Sequence, residues 1–159
     1  MEFEISIKMT PNALYDYLLY HIYTSFQGLL GAIAGLFMIM IFISGQSPIF
    51  LIAGLVVLAY LPYTLFLRSR KQFVSSPAFK EPLNYKFDDE GMTVSQSELS
   101  EMVLWEHIVK AVSTPNSIIL YTSKVNASIF PKKDLGDRKS DFIKIISTHM
   151  DPKKVKIRG

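Results

Sequence analysis

The chain has 159 residues, 49% of them hydrophobic and 19% charged, with a formal net charge of +3 and a mean hydropathy of +0.23. From Thr24 to Leu67, 44 residues pass without an Asp, Glu, Lys or Arg, so every charge sits in the flanks. That pattern excludes a purely soluble single domain and also a disordered chain, which needs low hydrophobicity and high net charge; zero cysteines exclude disulfides, thiolate metal sites and a cysteine nucleophile.

Residues 1–23 open with Glu2-Phe3-Glu4-Ile5-Ser6-Ile7-Lys8-Met9, a strict alternation that puts Phe3, Ile5, Ile7 and Met9 on one face of a half-buried strand. A lone strand is unstable, so it requires a sheet, which only the C-terminal region can supply. Thr10-Pro11 then reads as the cap and first residue of a helix, with Leu14, Tyr17, Leu18, His21 and Ile22 at helical spacing as the approach to the apolar block.

The block 24–67 is too long for one spanning helix and suits two, about 26–44 and 48–67, since a bilayer core of roughly 30 Å needs about 20 helical residues. Gly45 suits the residue past a helix end, Ser47 a cap and Pro48 a first helical position. So short a connection joins antiparallel neighbours and leaves both chain ends on one side. The first span follows three acidic residues and no small-residue cleavage site follows it, which argues against a signal peptide. The turn at 44–48 is uncharged, whereas Arg68, Arg70 and Lys71 follow the second span and Lys8 precedes the first, so both termini are expected in the cytoplasm. Tyr20, Tyr23, Phe26, Tyr60 and Tyr63 would form an aromatic belt at that same interface. Gly28, Gly31, Ala32 and Gly35 form a face of small residues that admits close helix packing, either with the second span or with another copy of the chain. Pro62 removes a backbone bond to Leu58 within the second span. No ionisable group lies inside the spans, against a transport pathway.

Residues 68–82, with Ser75-Ser76-Pro77 and Pro82, read as a linker. Residues 83–159 form the expected cytoplasmic domain. Leu83 to Asp88 and Met92 to Ser95 flank the turn Asp89-Glu90-Gly91; Glu101 to Trp105, Ile108 to Ser113, Ser117 to Ser123 and Ala127 to Phe130 follow as short strands. A helix opens near Gly136 or Asp137, carries Phe142, Ile145 and Ile146 at 3–4 spacing, and stops at Asp151-Pro152. The predicted fold is α+β: a two-helix transmembrane hairpin plus a small antiparallel, partly open barrel with a C-terminal helix.

Four strings carry a resemblance: Tyr85-Lys86-Phe87-Asp88-Asp89-Glu90-Gly91-Met92, Trp105-Glu106-His107-Ile108-Val109-Lys110-Ala111-Val112, Ile119-Leu120-Tyr121, and Ala127 through Phe130-Pro131-Lys132-Lys133-Asp134-Leu135. Together they resemble the YcxB-like family of bacterial membrane proteins. The resemblance implies two N-terminal spans, a C-terminal domain of the pleckstrin-homology-like (PH-like) kind, and a multi-pass place in a bacterial cell membrane. Phe130, Lys133 and Leu135 depart from the family's usual pattern, conservatively in size or charge. No functional residue is carried over by it.

Read for chemistry, the chain offers little. His21, His107 and His149 have no metal-ligand spacing, Asp88-Asp89-Glu90 lacks the remainder of a calcium loop, and no nucleophile elbow or glycine-rich phosphate loop is present. Trp105 alternates with Val103 and is expected in the core. Neither enzyme nor cofactor is expected. The candidate contacts for lipid or a partner are basic: Lys132 and Lys133, then Lys153, Lys154, Lys156 and Arg158. Such residues gain about 1 kcal/mol each near an anionic leaflet; nucleic acid is not expected as a partner. The expected function is a membrane-anchored PH-like module that recognises a protein partner or an anionic lipid surface. The alternative is a structural or accessory subunit that assembles through its spans with a transporter or channel; besides the lipid bilayer, a protein partner or a homo-oligomer is the expected kind of partner.

Overall fold

The computed structural model describes residues 2–157. Its elements run β1 (Phe3–Ile7), α1 (Pro11–Tyr23), α2 (Phe26–Ile43), α3 (Ile49–Ser75), β2 (Leu83–Phe87), β3 (Gly91–Gln96), β4 (Leu99–Leu104), β5 (Lys110–Ser113), β6 (Ser117–Tyr121), β7 (Ala127–Pro131), α4 (Lys132–Leu135), α5 (Lys139–His149) and β8 (Val155–Lys156). Two compact units result, one of residues 1–17 with 73–159 and the other of 18–72.

In the first unit the alternation read at the N-terminus becomes a paired strand. β1 lies antiparallel to β2, Phe3 opposite Phe87 and Ile7 opposite Leu83, with Phe3, Ile5 and Ile7 buried. One sheet has the order β1-β2-β3-β4 and the other β7-β6-β5-β8. The expected barrel is therefore not closed. Between β4 and β5 the chain makes a 3-10 turn over Trp105–His107 and passes to the second sheet. Trp105, read as a strand residue, sits in that turn; it is buried as expected, its indole Nε1 donating to the Asp88 carbonyl at 2.9 Å. A second difference is β8, which pairs in parallel with β5 through Ala111 to Val155 and Val112 to Lys156.

The core lies where both sheets meet α5: Ile7, Phe87, Met92, Ile118, Leu120, Phe130, Phe142, Ile145 and Ile146 are fully enclosed. Phe142 meets Phe3, Phe87 and Phe130 with ring centroids 4.8–5.3 Å apart. Every residue of β6 is buried. Ile118 and Leu120 enter this core, while on the opposite face the Tyr121 ring meets that of Tyr17 at 6.0 Å. Thr10 caps α1 as read, its Oγ1 accepting from the Ala13 amide at 3.2 Å.

In the second unit, α2 and α3 are long and apolar enough to cross a membrane. Eighteen residues at 1.5 Å give α2 a length of about 27 Å, close to the thickness of a bilayer core. Gly45 takes φ +89°, a left-handed conformation that glycine adopts without penalty. α3 has 27 residues, so positions 68–75 of the expected linker are helical. Arg, Lys and Gln propagate a helix well, and Pro77 halts it by holding Ser76 extended.

Candidate functional site

The small-residue face is occupied within its own chain. A Cβ added to Gly54 would lie 2.8 Å from the Gly35 carbonyl oxygen and 2.8 Å from Ile39 Cγ1, and one added to Gly35 would lie 2.7 Å from Leu58 Cγ. Gly31 faces Leu61 with ordinary clearance, 3.5 Å. Gly28 is shut in differently, under the Ile22 carbonyl, and Ala32 is half-buried. Large side chains cover the remaining surface: Leu29, Ile33, Leu36, Phe37 and Met40 on α2, and Ile52, Leu55, Val56, Tyr60 and Tyr63 on α3 are exposed.

Three features stand out in the first unit. The first is β4, which among the described residues has a strand neighbour on one side only. Its Leu99, Met102 and Leu104 are 79%, 44% and 37% exposed, and Glu101 is its only charge. A strand with open backbone groups and apolar side chains is a template for another strand, which most proteins blunt with charge, proline or a bulge.

The second feature is the basic C-terminal segment, which is docked. The Asp151 carboxylate accepts from the Lys153 amide at 2.8 Å, Lys154 Nζ reaches the Ile108 carbonyl at 3.4 Å, and Val155 and Ile157 pack against the core. Lys153 and Lys156 point to solvent. Arg158 lies outside the described residues.

Lys132 and Lys133 belong to the third, a cavity of about 380 Å³ between the start of α1, the β5–β6 turn and the end of β7. Thr114 organises its rim. Its hydroxyl donates to the Asp16 carboxylate and accepts from the Ser117 amide at 2.8 Å, while its carbonyl accepts from Lys132 Nζ. Asn116 Nδ2 also donates to Asp16, at 3.4 Å. Partial burial, and then repulsion from Lys139, hold the Lys132 ammonium below the ordinary lysine range against the pull of Asp16. Asp16, Thr114, Asn116 and Ser117 had no signal in the sequence; about a hundred residues separate the partners.

Among the described residues no three His, Cys, Asp or Glu side chains group to hold a metal. His149 stacks on Trp105 at 5.0 Å and approaches Asp89 at 3.2 Å.

An α+β domain whose chain is interrupted by a pair of membrane-competent helices is the class these features define. Residues 87–146 match the family whose description is YcxB-like protein, the family that the strings around Phe87, Trp105 and Phe130 resemble. The matched stretch runs from the end of β2 into α5, leaving β1, α1 and both long helices outside it. Comparison with curated proteins and with solved structures gives no match.

Proposed function

We propose that this protein is a membrane-anchored binding module without catalysis, held by α2 and α3 in a bacterial cell membrane with both termini cytoplasmic, its two sheets and α5 forming an opened PH-like domain. The observation that carries this reading is a contrast. The glycine face that would serve assembly through the spans is closed within the chain at Gly28 by Ile22 and at Gly35 by α3, whereas the β4 edge has no neighbour among the described residues and leaves Leu99, Met102 and Leu104 exposed. An extended segment of a protein partner can add to such an edge, main-chain bonds giving affinity and alternate side chains giving specificity. The exposed Lys153 and Lys156, on the other sheet's side of the domain, supply attraction to anionic headgroups.

The test is affinity purification from gently solubilised membranes with mass spectrometry, comparing the wild type, a Leu99→Lys/Met102→Lys variant and a Leu36→Ala/Met40→Ala variant. Loss of the co-purifying protein in the β4 variant alone is the expected result. Loss in the α2 variant alone would favour the accessory-subunit alternative.

A further inference from the structure

We infer that the cavity at the start of α1 is a binding site for a phosphate group, carried either by a lipid headgroup or by a free phosphate. It is lined by Thr10, Asn12, Asn116, Ser117, Lys132 and Lys133 among others, and its volume of about 380 Å³ lies in the range of small-ligand pockets.

Donors dominate this lining. The Lys132 ammonium spends one of its three N–H groups on the Thr114 carbonyl, which leaves two. Lys133 is exposed at the cavity, and Asn12 and Asn116 bring side-chain amides. The Ser117 hydroxyl lies wholly buried behind this wall without a hydrogen-bond partner, so the donors that face the cavity are the lysines and the amides. α1, a helix of 13 residues, begins here and brings the positive end of its dipole.

Charge selects the ligand further. Lys132 and Lys133, with Lys139 close enough to repel Lys132, outnumber the nearby acids: the Asp16 carboxylate is engaged by Thr114 and Asn116, and Asp134 follows Lys133 on α4 outside the cavity's lining. A phosphomonoester carries about −1.5 to −2 at neutral pH and has enough oxygens to meet several donors together. It would remove the repulsion between the lysines, which a neutral ligand cannot do. The proposal rests on the reading of a membrane-tethered binding module only for the lipid source; the free-phosphate source stands without it.

The full-length protein in nanodiscs of neutral phosphatidylcholine is titrated with inorganic phosphate by calorimetry, and the titration is repeated with phosphatidic acid in the disc. Saturable binding is expected, weakened about tenfold or more in Lys132→Gln and measurably in Lys133→Gln, and retained in Lys132→Arg. Phosphatidic acid that abolishes the phosphate titration identifies a headgroup site; titration that persists beside it identifies free phosphate. Lys133 is exposed, so Lys133→Gln tests the site even if the Lys132 variant fails to fold. A Lys153→Gln/Lys156→Gln variant should bind phosphate as the wild type does. Absence of saturable binding in both arms, or binding unchanged in Lys132→Gln and Lys133→Gln, would overturn the proposal while leaving the β4 edge untouched.

Discussion

Phe3 and Phe87 face each other across an antiparallel strand pair, their ring centroids 6.2 Å apart, although both long helices lie between them in the chain. The domain therefore needs its first strand. Residues 72–159 expressed alone would expose the edge of β2 and the core beneath it. They should be far less resistant to urea and protease than the same segment co-expressed with residues 1–12. Within the whole chain Ile7→Ala should cost about 2–5 kcal/mol, since Ile7 is fully buried. Equal stability with and without the strand would refute the pairing.

Close approach at Gly54 sets a ranking for the helix pair. Gly54→Val should lower the thermal stability of the purified protein in detergent markedly, because its Cβ would press on the Gly35 backbone. Gly31→Ala meets only Leu61 at ordinary contact distance and should be tolerated. Thermal unfolding of the two variants side by side reads the order; a reversed order would contradict the packing.

The proposed membrane orientation, with both termini cytoplasmic, predicts a labelling pattern. A cysteine at Gln46, in the connection between α2 and α3, should react with an impermeant maleimide in intact cells, and one at Lys153 should react only after lysis. The opposite pattern would place both termini outside.

On the proposed reading the exposed lysines of the docked C-terminal segment act through charge, while Lys154 also reaches the Ile108 carbonyl. In a soluble chain where a flexible linker replaces residues 18–72, replacing Lys153, Lys154, Lys156 and Arg158 by Gln should abolish binding to anionic liposomes. Wild-type binding should fall steeply with salt, since screening shortens from about 10 Å at 0.1 M to about 3 Å at 1 M. Circular dichroism should remain unchanged, because Val155 and Lys156 contribute backbone to the sheet. Liposome binding indifferent to salt would show that these charges do not act as an electrostatic anchor.

Lys132 gives the domain a signature in alkaline solution. Burial and Lys139 disfavour its charged form in the fold, so the unfolded chain binds that proton more tightly and stability from this group rises with pH up to 10.5, its ordinary value. Tyr17 and Tyr85, raised by burial, act in the opposite direction as pH passes their ordinary value of 10.0. The difference between wild type and Lys132→Met isolates the lysine. In the linker-joined soluble chain the urea midpoint of the wild type minus that of Lys132→Met should be larger at pH 10 than at pH 8, and a difference equal at the two pH values would contradict the assignment.

What could be read beforehand was whatever has a local period. The alternation from Phe3 to Met9, the apolar stretches around Gly45 and the 3–4 spacing of Phe142, Ile145 and Ile146 each announce their element. β8 could not be read this way: two residues inside a basic run have no period, and their strand exists only because β5 offers an edge. The helical extension through Arg68 to Ser75 was masked by polarity that resembles a linker. Nor could Asp16 be connected with Thr114, or Thr10 with Lys133, since folding alone brings those residues to one cavity.

The order of the elements also sets a timetable. β1 leaves the ribosome first, yet its partner β2 follows only after α1, α2 and α3 have been made. At roughly 5–20 residues per second the first strand waits several seconds. During that interval the two apolar helices can be taken up by the membrane, and the domain closes only once the chain beyond them has emerged. Until β2 has emerged, the apolar face of Phe3, Ile5 and Ile7 stays uncovered and open to proteases, so the interval exposes the chain for as long as the helices take to be made.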